Sequence, residues 1–279
     1  MGPWRVVVVS DSHLTARVAN TDRNWTAALR HIESAEPDLV VHVGDISMDG
    51  ARDPGDLRDG RAQMDKVPAP WRAIPGNHDV GDTISAYVDS DEFVTADRVG
   101  RWRDLFGPDR WTVDLGRWRL IGVNAQLFGS GLPAEAEQWD FIENELGRLP
   151  GAQRRRLLVS HKPLAASGAE LEVAPPYRFV PSPARDRLWK AAQAAGVHAV
   201  LSGHVHQARV LEVDGITQLW APTTWAVLPE TMQRTVGTKR CGVMQLELPD
   251  DGPLVHQVVE PDGMAQLVIS EEVPYPPPH

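Results

Sequence analysis

The sequence has little or nothing of several features that define large classes of protein. It contains one cysteine, Cys241, so no internal disulfide can form and the fold needs no oxidising compartment. No run of about 18 or more apolar residues occurs, so we expect no transmembrane helix. The short apolar run near Met1 leads directly into polar residues, which argues against a secretory signal. A cytoplasmic location fits this pattern.

Basic residues are also scarce. There are 28 Lys and Arg against 38 Asp and Glu, a formal net charge of −10. Proteins that gain affinity by wrapping a nucleic acid backbone need clustered Lys and Arg, so a long nucleic acid substrate is disfavoured. The motifs Gly-x-Ser-x-Gly and Gly-x-x-x-x-Gly-Lys are both missing. A serine nucleophile and a phosphate-binding loop of those kinds are therefore not expected.

Short apolar strands and helical patterns alternate along the first two thirds of the chain. Val6–Val9 and Leu39–Val43 are β-branched runs, and Trp25 to Ile32 between them has helical spacing. Other predicted strands are Trp71–Ile74, Trp111–Leu115, Arg119–Val123, Leu157–Val159 and Val197–Leu201. Other predicted helices are Arg98–Phe106, Pro133–Leu149 and Leu188–Ala195. We expect one domain over residues 1–271 and a flexible tail over 272–279.

The last third predicts strands without helices between them. These strands are Leu211–Val213, Thr217–Trp220, Val243–Leu248, Val255–Val259 and Gln266–Ile269. Turn signals at Asp214-Gly215 and Asp262-Gly263 separate some of them, which predicts an antiparallel closing sheet. Two long segments, 46–60 and 165–183, are rich in Asp, Gly or Pro and are predicted to be irregular loops.

Five short polar signals follow five of the apolar strands. In chain order they are Asp11-Ser12-His13, Gly44-Asp45, Gly76-Asn77-His78-Asp79, Ser160-His161 and Gly203-His204-Val205-His206. Sites in open α/β sheets are assembled beyond the carboxyl ends of the strands, where several strand tips converge. Residues far apart in the sequence are therefore predicted to share one site.

The spacing inside these signals supports a metal site. Asp11 and His13, like His204 and His206, are two residues apart, so in extended backbone both members of a pair point the same way. Glycines precede Asp45, Asn77 and His204, where they relieve crowding beside an ion. Imidazole, carboxylate and amide groups together suit Mn, Fe, Zn or Co better than Ca.

This ordered set resembles the calcineurin-like metallophosphoesterases across residues 6 to about 206. The resemblance implies an α/β fold, a four-layer α-β-β-α sandwich around a mixed central pair of sheets, and two divalent or trivalent metal ions. It implies that Asp11, His13 and His206 hold one ion. It implies that Asn77, His161 and His204 hold the other, and that Asp45 bridges the two.

Within that family the chain is most similar to the cyclic nucleotide and glycerophosphodiester phosphodiesterase branch. Gly76-Asn77-His78-Asp79, Ser160-His161-Lys162-Pro163 and the compact length carry this similarity. The Asp-Arg-Gly that follows the bridging Asp in protein Ser/Thr phosphatases is absent, because the chain continues Asp45-Ile46-Ser47. Purple acid phosphatases also fit poorly, since no Tyr lies near the early ligands.

The predicted reaction is hydrolysis of a small phosphodiester by a metal-bridging hydroxide. His78 is placed to protonate the departing alkoxide or to stabilise the transition state, and Asp79 is a candidate to orient it. A phosphomonoesterase or nucleotidase with the same metals is the alternative, and a metal-binding scaffold without catalysis is a third. The sequence does not predict the metal, the natural substrate or the oligomeric state.

Other polar and aromatic residues receive weaker assignments. Arg52, Tyr177 and Arg178 lie in the long loops and are candidates to grip a phosphate. The acidic residues Asp49, Asp53, Asp56 and Asp59 are better explained as a solvated loop face. Structural roles are preferred for His31, His42, His198, His256 and His279. Core positions are preferred for Trp25, Trp71 and Trp139, whereas Trp220 and Trp225 stay open.

Overall fold

A computed structural model describes residues 2–17, 21–86, 88–147, 154–164 and 178–270. The strands are β1 (Trp4–Val9), β2 (Leu39–His42), β3 (Trp71–Ala73), β4 (Trp111–Leu115), β5 (Trp118–Val123), β6 (Arg155–Ser160), β7 (Ala199–Ser202), β8 (Arg209–Val213), β9 (Ile216–Trp220), β10 (Val243–Leu248) and β11 (Val255–Val259). The α-helices are α1 (Thr21–Ala35), α2 (Pro54–Met64), α3 (Asn77–Val80), α4 (Ala96–Phe106), α5 (Pro133–Gly147) and α6 (Ser182–Ala194).

The strands form two mixed sheets. The first has the order β11-β10-β1-β2-β3, in which β1, β2 and β3 are parallel and β10 is antiparallel to β1. The second has the order β4-β5-β6-β7-β9-β8, in which β5, β6, β7 and β9 are parallel. Antiparallel strands β4 and β8 close its two edges.

Alternating side chains of each sheet build three apolar layers. Val6 and Val8 of β1 belong to a cluster with Leu157 and Leu201 of the second sheet, so this cluster lies between the sheets. Their neighbours in β1 pack with residues of α1, α2 and α4. On the far side, the second sheet packs against α5 and α6. Period-two alternation thus gives each sheet two buried faces, which confirms the predicted α-β-β-α sandwich.

The C-terminal strands depart from the predicted closing sheet. β8 and β9 extend the second sheet, whereas β10 and β11 pair onto β1 in the first. The prediction that these strands form one antiparallel closing sheet was wrong, because local turn signals specify which strands form hairpins but not which sheet each hairpin joins. The predicted strand at 266–269 reduces to one bridge, between Val227 and Val268.

The segment 46–60 is more ordered than the sequence predicted. Its second half begins α2, with Pro54 at the first helical position and the Asp53 side chain accepting a hydrogen bond from Gly55 N at 2.7 Å. An Asp-Pro pair of this kind is a recognised helix start, so the signal was present in the sequence. Most of the second predicted loop, residues 165–177, and the predicted tail lie outside the described residues.

The acidic residues of this segment also differ from expectation. Asp56 is buried, accepts a hydrogen bond from Thr15 Oγ1 at 2.7 Å and pairs with Arg17 at 2.6 Å. Asp49 is buried as well and lies 3.8 Å from Arg17. A solvated acidic face was therefore the wrong interpretation for Asp49 and Asp56, whose charge Arg17 offsets. Asp53 and Asp59 are partly exposed.

The thiol of Cys241 gives a test of the packing around β10. The side chain is fully buried, its Sγ lies 3.3 Å from the Trp225 carbonyl oxygen, and burial raises its pKa to about 11. The unfolded thiol ionises near pH 9, so its contribution to stability is complete below pH 9 and is lost as the pH rises toward 11.

We expect the native thiol to resist iodoacetamide at pH 8. We also expect the unfolding free energy of the wild type to fall between pH 8 and pH 10 by about 1 kcal/mol more than that of Cys241→Ala. Denaturant titrations of both proteins at the two pH values measure this difference. Equal pH slopes would show that the thiol is accessible to water.

Candidate metal centre

All five polar signals lie directly beyond the carboxyl ends of parallel strands. Asp11 follows β1, Asp45 follows β2 and Asn77 follows β3 in the first sheet, while His161 follows β6 and His204 follows β7 in the second. The polar residues that follow the parallel strands of both sheets therefore lie at one edge of the sandwich, as the sequence predicted. The seven predicted metal ligands converge there from both sheets.

The backbone at this edge is not extended, contrary to expectation. Asp11, His13, Asp45, His204 and His206 all have positive φ angles, between +44° and +68°. Side chains two residues apart converge because each ligand sits in a left-handed turn, and not because a strand continues through them. Such conformations cost about 1–3 kcal/mol each and concentrate at functional sites.

Glycines clear the space that these turns need, as predicted. A Cβ on Gly44 would lie 2.5 Å from His161 Nδ1, and a Cβ on Gly76 would overlap the carboxylate and the backbone nitrogen of Asp45. A Cβ on Gly203 would overlap Ser10 Oγ and approach Asp11 Oδ2 to 2.8 Å. Each glycine therefore permits a close approach between two ligand-bearing turns.

The first group of ligand atoms comes from Asp11, His13 and His206. One ligand atom from each of these residues lies within 4.8 Å of the others. His206 Nε2 lies 3.2 Å from His13 Nε2 and 3.4 Å from Asp11 Oδ1. These three residues are the ones that the family resemblance assigned to one ion.

The second group comes from Asp45, His161 and His204, whose ligand atoms also lie within 4.8 Å of one another. Asn77 joins it, because its Oδ1 lies 3.3 Å from His161 Nε2. Asp45 Oδ2 lies 3.3 Å from His161 Nε2 and 3.8 Å from His13 Nε2. Asp45 is thus within reach of both groups, which is the position that a bridging ligand needs.

His78 lies at the first group, and a backbone carbonyl orients it. His78, His13 and Asp45 place ligand atoms within 4.8 Å of one another. The His78 ring meets the His13 ring edge-on with centroids 4.7 Å apart. His78 Nδ1 lies 2.6 Å from the carbonyl oxygen of Met48, so that carbonyl fixes the ring direction.

Asp79 has a different task from the one predicted. Its buried carboxylate accepts hydrogen bonds from the backbone N–H groups of Ile46 at 3.2 Å, Ser47 at 2.9 Å and Gly76 at 2.9 Å. It fastens the turn after β2 to the turn after β3, and the Met48 carbonyl serves as the orienting partner of His78 instead. Burial, followed by the Asp45 charge, raises the pKa of Asp79 to about 6.

Backbone carbonyls fix two further imidazoles in the same way. His161 Nδ1 lies 2.8 Å from Val43 O, and His206 Nδ1 lies 2.6 Å from Ala226 O. In both residues Nδ1–H donates outward, so Nε2 faces the group and offers a lone pair to an ion once its own proton is lost. Metal-binding histidines commonly have an outer partner of this kind.

The charges at the centre are strongly coupled. Burial alone would raise the pKa of Asp45, but His161, His78 and His13 hold it well below its usual range. Burial acts to lower the pKa of His161, yet the Asp45 carboxylate outweighs it and raises that pKa to about 9. Burial lowers the pKa of His13 and of His204, so these two rings stay neutral.

These donors fit metal ions. His204 Nε2 is buried and has no hydrogen-bond partner among the described residues, although buried polar atoms are nearly always paired. Neutral imidazoles and carboxylates, brought within 3.2 to 3.8 Å of one another, offer lone pairs toward a shared space. Together with one amide oxygen, they form a donor set that suits borderline cations.

The segment 221–226 contributes two site residues that sequence reasoning missed, Thr223 and Thr224. Thr223 Oγ1 donates to the Asp11 carbonyl oxygen at 2.9 Å, and Thr224 Oγ1 donates to that of Ser10 at 3.0 Å. The Trp225 ring lies 5.1 Å from that of His13. These hydrogen bonds and this ring contact stabilise the turn that carries Asp11 and His13. No motif in the sequence distinguishes these threonines from others.

The other residues considered as site candidates differ in their position relative to the ligand groups. His42 is buried, its Nε2 lies 2.8 Å from Ser12 Oγ, and burial lowers its pKa to about 3, consistent with the predicted structural role. Arg52 pairs with Glu92. Arg178 lies beside the second group, where its charge helps to lower the pKa of His204. Tyr177 lies outside the described residues.

Gly76 provides a sharp test of this close packing. Gly76→Ala would press a methyl group into Asp45, so we expect metal affinity to fall by about 10- to 100-fold. Metal content after dialysis against Mn²⁺ is the measurement. Gly100→Ala is the matched control, because a Cβ there meets nothing within 4 Å. Equal metal content in the two variants would contradict the geometry.

Comparison with known proteins agrees with this centre. The family model for calcineurin-like phosphoesterase matches residues 5–208. The chain is 26% identical over 265 residues to the 3',5'-cyclic adenosine monophosphate phosphodiesterase CpdA of Escherichia coli, covering 91% of this chain and 88% of that protein. It is 26% identical over 213 residues to a probable glycerophosphodiester phosphodiesterase GpdQ of Arcobacter nitrofigilis, covering 72% and 71%.

Solved structures share the fold at lower identity. A dimetal phosphatase from Danio rerio superposes with a TM-score of 0.63 at 12% identity, covering 92% of this chain and 96% of that one. The purple acid phosphatase PPD1 from yellow lupin superposes with a TM-score of 0.61 at 17% identity, covering 97% and 55%. By the match over residues 5–208, the chain belongs to the calcineurin-like phosphoesterase family.

Proposed function

We propose that the protein hydrolyses a small phosphodiester with the help of two metal ions. The observation that carries this proposal is the pair of ligand groups that share access to Asp45. Asp11, His13 and His206 would hold one ion, Asn77, His161 and His204 the other, and Asp45 both. When bound, two such ions supply hydroxide near neutral pH and neutralise charge on the phosphoryl oxygens.

The protein itself would supply orientation and a proton. The Met48 carbonyl holds Nδ1 of His78, so Nε2 is the atom that would donate a proton to the departing alkoxide. The backbone N–H of His78 donates to Asp45 Oδ1 at 2.9 Å, which ties the proton donor to the bridging carboxylate. Movement of one group relative to the other is thereby restricted.

The relatives support a diester as the substrate. The relatives from Escherichia coli and Arcobacter nitrofigilis are named as phosphodiesterases of a cyclic nucleotide and of glycerophosphodiesters. No helix in the described ranges is long and apolar enough to cross a membrane. The donor set fits Mn, Fe, Zn or Co, and we propose Mn²⁺ for the first assays.

The two candidate substrate classes are separated by one pair of assays. With Mn²⁺ added, we expect kcat/KM for bis(p-nitrophenyl) phosphate to exceed that for p-nitrophenyl phosphate by about tenfold or more. A protein treated with chelator and assayed without metal is the control, and it should turn over neither compound. A strong preference for the monoester would instead favour a phosphomonoesterase or nucleotidase.

His78 is tested by the leaving group. A poor alkoxide needs protonation and p-nitrophenolate does not, so His78→Ala should lose about 100- to 10,000-fold in kcat on an alkyl leaving group and much less on p-nitrophenol esters. The exposed residue His256 supplies the matched control, His256→Ala. Equal losses on both leaving groups would remove His78 from the role of acid.

Catalysis itself is tested by the double variant Asn77→Ala, His78→Ala. If this variant and the metal-loaded wild type showed the same negligible turnover across phosphoesters, the scaffold interpretation would be correct. Metal analysis of the wild type must accompany the assay, since two ions for each chain are expected.

A further inference from the structure

A cavity of about 270 Å³ lies beside the turn that carries His204 and His206. Val205, which stands between the ligands His204 and His206, forms part of its wall. Arg178 forms another part, and its charge acts on the His204 ring. The cavity is therefore next to the place where the proposed reaction occurs.

The walls of this cavity suit a flat, mainly apolar group. Phe179 and Trp220 meet edge to face with ring centroids 6.2 Å apart, and Val205 and Val236 add aliphatic surface. The Trp220 indole N–H is buried and has no acceptor among the described residues. A volume near the lower end of the usual range for ligand pockets, about 300–1,000 Å³, accommodates one aromatic ring system but no long chain.

The charges around the cavity favour an anionic ligand. Glu230 is offset by Lys239 at 3.0 Å and by the Thr235 hydroxyl at 2.7 Å. Arg178 and Arg234 then give the described part of the wall a net positive charge. A phosphodiester carries one negative charge, so an aromatic substituent on such an ester meets both requirements.

The outer wall is fastened to the metal-binding turn. Gln207 follows the ligand His206, and its Oε1 accepts hydrogen bonds from Val236 N and Gly237 N, both at 2.8 Å. Its Nε2 donates to Gln233 Oε1 at 2.7 Å and to Arg234 O at 3.1 Å. The cavity is thus held at a fixed distance from the ligands, as a binding site requires.

The position of His78 determines which part of the ester this cavity would receive. His78 lies at the first group, where its ring meets the His13 ring. The cavity wall formed by Arg178 and Phe179 lies on the side of the second group. The residue that follows this wall, Val180, donates its backbone N–H to Pro163 O at 3.2 Å, two residues beyond the ligand His161. If His78 protonates the departing alkoxide, the leaving group lies toward His78. The substituent that stays on phosphorus is then the one that lies toward the cavity.

We propose that the cavity formed by Arg178, Phe179, Val205, Trp220, Met232 and Val236 binds an aromatic substituent that is retained on the phosphate. This assignment rests on the proposed phosphodiesterase function and adds a specificity-determining pocket to it. Aromatic contacts recognise the ring, and the cationic wall favours the charge of the adjoining phosphate.

Two esters with one leaving group test this pocket. Methyl p-nitrophenyl phosphate and phenyl p-nitrophenyl phosphate differ only in the retained substituent, and we expect the wild type to prefer the phenyl ester by about tenfold or more in kcat/KM. Val236→Trp fills the cavity and should reduce this preference to below about threefold, mainly through KM for the phenyl ester.

A second variant tests whether filling the cavity, and not one particular substitution, causes the loss of preference. A control variant tests whether added bulk elsewhere has the same effect. Met232→Trp fills the cavity from an exposed rim position and should act in the same direction. Val210→Trp adds the same bulk on exposed β8 outside the cavity and should keep the wild-type preference. Circular dichroism and metal content establish that each variant is folded and loaded.

Two results would overturn the proposal in distinguishable ways. If methyl p-nitrophenyl phosphate is hydrolysed but the phenyl ester gains nothing, or if Val236→Trp and Met232→Trp keep the preference, the pocket assignment fails alone. If neither ester is hydrolysed by metal-loaded wild type, the phosphodiesterase function fails and the pocket fails with it.

Discussion

The site depends on a backbone constraint at the ends of the strands. Asp11, His13, Asp45, His204 and His206 sit in left-handed conformations that L-residues avoid, and the rest of the fold must hold all five together. Parallel strands of two sheets bring the turns to one edge, and buried carboxylates and threonines fasten them. Packing and hydrogen bonding therefore stabilise these strained turns, and they orient the ligand side chains toward one another before any ion is bound.

Convergence of the turns concentrates charge as well as ligands. The Asp45 carboxylate, buried among imidazoles, holds a proton on His161 in the protein without metal, while His13 and His204 remain neutral. A metal ion can take the place of that proton, so binding of the ion and loss of the proton are linked. Burial of these charged groups beside one another therefore prepares them as ligands.

Sequence reasoning predicted the elements that carry periodic signals. The strands before Asp11 and Asp45 and the glycines beside the ligands follow from apolar runs and from the crowding of close turns. It failed where the information is not local. The sheet that receives β10 depends on pairing with β1, and the role of Thr223 depends on contact with a residue 212 positions earlier. The role of Asp79 was misassigned because it was inferred from adjacency to His78 in the sequence. The Asp79 carboxylate instead contacts the backbone of the turns after β2 and β3.

The pairing of β10 with β1 also has a consequence for how the chain folds. Trp4 lies opposite Leu248, and Val8 lies opposite Met244, so the strand that carries the first ligands gains its second neighbour only from the last part of the chain. Contacts this distant in sequence form late, since closing long loops costs entropy before the contacts reward it. During synthesis, the turn after β1 therefore lacks this support until β10 has been made, and chains that end before β10 are not expected to bind metal in the native manner.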